Sequence, residues 1–121
     1  MNITIEEFKR LDIRIGEILK AERVENADRL LRLEVDFGPS TRSTSSGQAG
    51  SGSSKRQIVA GIAQWFDPED LVGKKFPFIV NLEPRSFQGI ESQGMLIAVN
   101  SNDRAVLLEP SEDVSVGDLI V

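Results

Sequence analysis

An alternation of apolar and polar side chains over residues 29 to 37, with Leu30 as the exception, constrains this chain most. Leu31, Leu33, Val35 and Phe37 would lie on one face of an extended strand, and the charged residues between them on the other. This pattern is typical of a strand with one face in a hydrophobic core and one face in water. The chain therefore forms at least one half-buried sheet.

Other short apolar runs, each bounded by turn-forming residues, predict the remaining strands, over 12–24, 58–63, 76–80, 95–99 and 105–108. Two short helices interrupt them. One spans 5–11 and begins with a Thr4/Glu7 capping box, and the other spans 67–73 with Asp67 as N-cap and Pro68 in first position. We expect an all-β fold: a five-stranded Greek-key barrel of the OB type, with a short N-terminal helix and a short helix between strands 3 and 4.

Residues 39 to 54 are mostly Ser, Gly and Thr. Such a composition cannot build a core and predicts a flexible loop inserted between the second and third strands, with a nucleic-acid-binding arm as the alternative. Closure entropy grows slowly with loop length, so one domain over residues 1–121 tolerates the insertion.

The chain has no His, Cys or Tyr. This excludes disulfides, Cys nucleophiles, Ser-His triads and the commonest metal ligands, so we expect no catalytic residue, no metal and no cofactor. There is no signal-peptide pattern at the N-terminus and no apolar run long enough to span a bilayer. We expect a cytoplasmic protein with no membrane partner.

The net charge of −5 argues against strong nucleic-acid binding, because neutralising phosphate requires Lys and Arg. A local basic face can still bind while the rest of the surface is acidic. Arg23, Arg29 and Arg32 lie close together in the sequence, so we expect modest, salt-sensitive affinity if the ligand is a nucleic acid.

The segment 81–94 is a polar, Gly- and Pro-bearing loop between two apolar strands, a common place for recognition residues. Arg85 can bind phosphate or stack under a base, the alternative being an ion pair with Glu83 or Glu91. Phe87 can stack on an unpaired base, the alternative being packing at the barrel mouth or against a dimer partner. The other candidate binding residues are Arg29, Asn81, Ser92, Gln93 and Met95, each of which also has an ordinary structural explanation.

Several motifs in a fixed order resemble one known family. They are LDIRIGEI at 11–18, NADRLL at 26–31, RQIVAGIA at 56–63, PEDLVGK at 68–74, N-L-x-P-R at 81–85 and S-x-G-M at 92–95. Together they resemble the tRNA-binding domain family, which includes the C-terminal appendix of bacterial methionyl-tRNA synthetases and free-standing homologues. The match covers nearly the whole chain outside the Ser/Gly-rich loop.

The resemblance implies an OB fold, a homodimer and a non-catalytic module that binds tRNA by shape more than by sequence. In a synthetase it would serve a separate catalytic domain in protein biosynthesis. The family also contains chaperone-like proteins, and the alternative is a protein-binding homodimer with weak or no tRNA binding. The acidic balance favours that alternative, as does the absence of the basic residues that the family has at the positions of Glu83 and of Ser86 or Gln88.

Overall fold

The computed structural model describes residues 1–38 and 55–121. The predicted loop over 39–54 lies outside these residues. The described elements are one helix, nine strands and one 3₁₀ helix, in the order α1 Ile5–Lys9, β1 Ile13–Val24, β2 Ala27–Asp36, β3 Lys55–Ala60, the 3₁₀ helix Pro68–Asp70, β4 Lys75–Ile79, β5 Arg85–Phe87, β6 Ile90–Ser92, β7 Met95–Leu96, β8 Ala98–Ser101 and β9 Arg104–Leu107.

Helix α1 begins as the sequence predicts. The Thr4 hydroxyl accepts a hydrogen bond from the Glu7 backbone N–H, and the Glu7 carboxylate accepts one from the Thr4 N–H. The helix is shorter than expected and ends at Lys9. Ile5 is 60% exposed and does not contribute to the core. Asp67 is the N-cap of the 3₁₀ helix and Pro68 its first residue, as predicted, but the Asp67 side chain makes no capping hydrogen bond and makes an ion pair with Arg23.

Five strands form one antiparallel sheet in the order β3-β2-β1-β4-β7. Strand β1 is long enough to pair with β4 through Ile13–Glu17 and with β2 from Glu17 onward. Its register shifts between Ile18 and Lys20, which indicates a β-bulge. Gly16 on the same strand permits close packing, since a Cβ there would lie 2.5 Å from the Val35 side chain.

The core fills the inside of this curved sheet. Its largest fully buried side chains are Phe76, Phe78, Ile18, Leu31, Leu33, Ile58, Leu71 and Val35. The alternating strand supplies three of them, and its Phe37 meets the Phe78 ring edge-on at 5.5 Å between centroids. Trp65 and Phe66 pack against the cluster from the segment that precedes the 3₁₀ helix. The all-β fold with OB-type strand order is therefore confirmed.

Side chains join the edge strand β3 to the segment that leads into β7. The Ser92 hydroxyl accepts a hydrogen bond from the Val59 N–H at 2.9 Å, and the Gln93 N–H donates to the Gln57 carbonyl at 2.8 Å. The Arg56 guanidinium donates to the Val80 carbonyl at 2.6 Å and the Gln93 carbonyl at 3.3 Å. We call these contacts the seam, and they hold the two ends of the sheet together.

The last part of the chain adds two features. The predicted strand over 95–99 is split into β7, which pairs with β4, and β8, which forms a separate hairpin with β9. The tail runs beside the start of β1, where the Ile15 N–H donates to Asp118 and the Ile120 N–H donates to Ile13. The tail therefore pairs with β1 of the same chain.

Candidate nucleic-acid interface

A cleft of about 860 Å³ crosses β1, β2 and β3 and reaches the 3₁₀ helix. Among the described residues, its lining contains five basic side chains, Lys20, Arg23, Arg32, Lys55 and Arg56, and three acidic ones, Glu22, Glu34 and Glu69. Basic side chains thus outnumber acidic ones here, although the whole chain carries a net charge of −5. In OB-type barrels this face and its bordering loops are where oligonucleotides bind.

Internal pairing reduces the positive charge of the cleft. Arg32 makes an ion pair with Glu22, and Arg23 makes one with Asp67 at 3.1 Å. The described hydrogen-bond acceptors of Arg56 are neutral carbonyls and not carboxylates. Arg23 and Arg32 belong to the basic cluster that is evident in the sequence, but none of the five cleft cations was predicted as a site residue. Lys20 and Arg32 could have been identified from the sequence, because they lie at strand positions whose side chains point away from the core.

The β5–β6 hairpin stands at the edge of the cleft. Gln57, a lining residue, donates from Nε2 to the Glu91 carbonyl at 2.7 Å. The hairpin turns through Gln88 and Gly89, with φ of 53° and 82°, the two positive values of a type I′ turn. Such a turn matches the twist of the flanking strands, so the hairpin is well formed although each strand has only three residues.

Arg85 lies on this hairpin, opposite Ser92. Its guanidinium carbon lies 5.0 Å from the centroid of the Phe87 ring. Among residues 1–38 and 55–121, no carboxylate makes an ion pair with it, so the alternative of a surface ion pair with Glu83 or Glu91 does not apply. The cation remains available to an anionic ligand.

The amide of Asn81 is engaged within the chain. Its Oδ1 accepts from the Asp12 N–H at 2.8 Å, and its Nδ2 donates to the Arg10 carbonyl at 2.6 Å. These bonds fasten the connection between α1 and β1 to the end of β4. They favour a structural role for Asn81.

Ser92 and Gln93 belong to the seam. The buried Ser92 hydroxyl also donates to the Gly94 carbonyl at 3.0 Å, and Gln93 Oε1 accepts from the Gln57 N–H at 3.1 Å. Met95 pairs with Ile79 on β4 and is 43% exposed. None of the three is a lining residue of the described cleft.

Arg29 lies on β2, and its carbonyl accepts from the Ala63 N–H just beyond the end of β3. Arg85 is across the hairpin from Ser92, whose hydroxyl binds Val59 near the same end of β3. The two arginines therefore lie on either side of the C-terminal half of β3. Neither these two arginines nor Phe87 is a lining residue of the described cleft.

A family model described as "Putative tRNA binding domain" matches residues 13–119. The chain belongs to this family. The predicted membership is thereby confirmed, and the matched span contains the cleft, the hairpin and the seam.

The similar proteins include methionine–tRNA ligases. The chain is 45% identical over 115 residues to a methionine–tRNA ligase of Methanothrix thermoacetophila, covering 95% of this chain and 15% of that protein. It is 39% identical over 118 residues to the ligase of Caldanaerobacter subterraneus, covering 98% of this chain and 16% of that protein. The chain thus spans about one sixth of the length of these curated relatives.

Solved structures resemble the whole chain. A methionyl-tRNA synthetase related protein from Pyrococcus horikoshii has a TM-score of 0.83 at 37% identity, with 100% of this chain and 99% of that chain covered. The chaperone CsaA from Bacillus anthracis has a TM-score of 0.80 at 30% identity, with both chains covered at 100%. This tRNA-binding-domain chain is therefore similar to both synthetase-related and chaperone proteins.

Within the described parts of the chain, no helix is long and apolar enough to cross a membrane. In the same residues no group of three or more acidic side chains is placed to hold a metal ion.

Proposed function

We propose that this chain is a non-catalytic tRNA-binding module of the cytoplasm that recognises the shape and backbone of tRNA. In a synthetase it would raise the local concentration of tRNA and leave aminoacylation to another domain. Family membership supports this proposal, as do the synthetase relatives that share the sequence over 95% of this chain.

The observation that carries the proposal is the basic excess of the cleft in a chain that is acidic as a whole. Lys20, Arg29 and Arg85 make no described ion pair, so each can meet a phosphate without first losing an internal partner. Asn81, Ser92 and Gln93 would hold the loop in place for them, and Met95 would lie at its base.

Titration of bulk tRNA by filter binding at several salt concentrations tests this proposal. With about three to four phosphate contacts, log K should fall with log salt at a slope of about −2 to −4. Arg85→Ala should weaken binding and reduce the slope by about one. Arg10→Ala, an exposed arginine at the end of helix α1, is the matched control and should change neither value. Salt-independent retention, or none, would overturn the proposal.

We further propose that two copies of the chain pair through the β8–β9 hairpin. Its inner side chains Ala105 and Leu107 pack against the core, while Val99 and Val106 face each other across the outer side and are 42% and 38% exposed. A two-stranded sheet with an apolar outer face is stabilised by burial against a partner. Mass measurement by light scattering should give a dimer for the wild type and a monomer for Val106→Asp. A monomeric wild type would refute this pairing.

The second candidate is a protein-binding, chaperone-like function, favoured by the exposed apolar side of this hairpin and by the similarity to CsaA. It predicts that the chain suppresses aggregation of a denatured test protein and that Val106→Asp removes the effect. Under the tRNA-binding proposal, Arg85→Ala is the variant that loses function.

A further inference from the structure

The aromatic ring of Phe87 is half-buried without being part of the core. Phe87 is absent from the apolar side chains that pack against the core, and its described ring contact is the Arg85 guanidinium. A cation stacked on one face of a phenyl ring leaves the other face as an apolar surface. The expectation that Phe87 packs against the barrel mouth therefore has no contact to support it in the described residues.

The register of the hairpin fixes the direction of this ring. The pairs Arg85–Ser92 and Phe87–Ile90 lie on one face of the β5–β6 hairpin, and Ser86–Glu91 lies on the other. Ser92 points toward the sheet, because its hydroxyl accepts from the Val59 N–H of β3. Arg85 and Phe87 therefore lie on the face of the hairpin that is directed toward the sheet, and the Glu91 carboxylate lies on the opposite face.

We propose that Arg85 and Phe87 together bind one unpaired nucleotide. Its base stacks on the ring face that Arg85 leaves open, and its phosphate is bound by the guanidinium. This inference rests on the proposed RNA-binding function and narrows its substrate class to RNA that presents unstacked bases. Paired bases in an A-form duplex stay stacked and cannot reach the ring. Stacking accepts any base, so it adds affinity without sequence preference.

Two synthetic RNAs with equal numbers of phosphates provide the test, one a stem with an unpaired loop and the other a blunt duplex. By fluorescence anisotropy the wild type should bind the looped RNA more tightly. Phe87→Leu should weaken that binding about fivefold or more and leave duplex binding unchanged. Its salt slope should equal that of the wild type, because no charge is altered. Phe8→Leu on α1 is the matched control, with affinity for both RNAs as in the wild type.

A second variant detects the stacking of a base on residue 87 directly, by tryptophan fluorescence. Trp65 is the only tryptophan of the chain, so Trp65→Phe with Phe87→Trp leaves a single indole at the hairpin. Looped RNA should quench its emission and the duplex should not. Two results would overturn the inference while the RNA-binding function stands. One is that looped RNA binds the Trp variant without quenching its emission, and the other is that folded Phe87→Leu prefers looped RNA as strongly as the wild type does. Failure of the wild type to bind either RNA would overturn both.

Discussion

Substitution of Ser92 by Ala tests the seam most sharply. The Ser92 side chain is 3% exposed, and its hydroxyl accepts from the Val59 N–H at 2.9 Å and donates to the Gly94 carbonyl at 3.0 Å. Alanine removes both bonds and leaves a buried N–H without an acceptor. An unsatisfied buried group of this kind costs about 1–3 kcal/mol of unfolding free energy.

In a domain of this size the loss corresponds to a fall in melting temperature of about 4–12 °C. Thermal unfolding followed by circular dichroism measures it. Ser86→Ala is the matched control, because Ser86 is exposed on the outer face of the same hairpin and should shift the melting temperature by less than about 2 °C. Equal melting temperatures for the two variants would refute the seam as described. So would a Ser92→Ala variant of wild-type stability that had lost RNA affinity, since Ser92 would then contact the ligand.

Three other perturbations follow from the same geometry. Arg56→Met should lower the free energy of unfolding, measured in urea, by about 2–4 kcal/mol, because two carbonyls lose a charged donor. Its control, Arg32→Met, breaks only an exposed ion pair and should lower the free energy of unfolding by at most about 1 kcal/mol. Equal losses would contradict this. Gly94→Ala should lower the free energy of unfolding by about 2 kcal/mol or more, since φ of Gly94 is 145° and the new Cβ would lie 2.8 Å from the Ile79 carbonyl oxygen. Gly89→Ala, with open space around it, should cost less despite its φ of 82°; the reverse order would be the contrary result. Asn81→Ala should lower stability by about 1–2 kcal/mol without reducing the salt slope of tRNA binding, and an altered slope would place Asn81 at the ligand.

Much of the fold was predictable because short stretches of neighbouring residues determine its helix and several of its strands. The alternation over β2, the capping box of α1 and the apolar runs of β3 and β4 each carry their own signal in a few neighbouring residues. The split of the run over 95–99 was not predictable, because β7 and β8 differ only in which distant strand they pair with. Such partners are set by tertiary packing and leave no mark on a continuous apolar stretch.

The candidate site was predictable to a smaller extent. Loop composition pointed to Arg85 and Phe87, and the hairpin holds these two side chains in contact with each other. Asn81, Ser92 and Gln93 have the same polar composition, yet their hydrogen bonds go to residues that are far away in sequence. In the sequence, a polar side chain that binds a ligand cannot be distinguished from one that joins two strands, because the difference lies in its hydrogen-bond partner. The basic cluster pointed to Arg23 and Arg32, but Lys20, Lys55 and Arg56 were missed because the cleft draws its cations from three separate strands.

Amide chemical-shift mapping of the full chain during a tRNA titration shows directly where the RNA binds. Shifts should concentrate in the cleft strands and the β5–β6 hairpin, around Lys20, Arg32, Gln57 and residues 85–90, and added salt should reverse them. Shifts confined to the β8–β9 hairpin, or none at tRNA concentrations well above that of the protein, would contradict the proposed binding site.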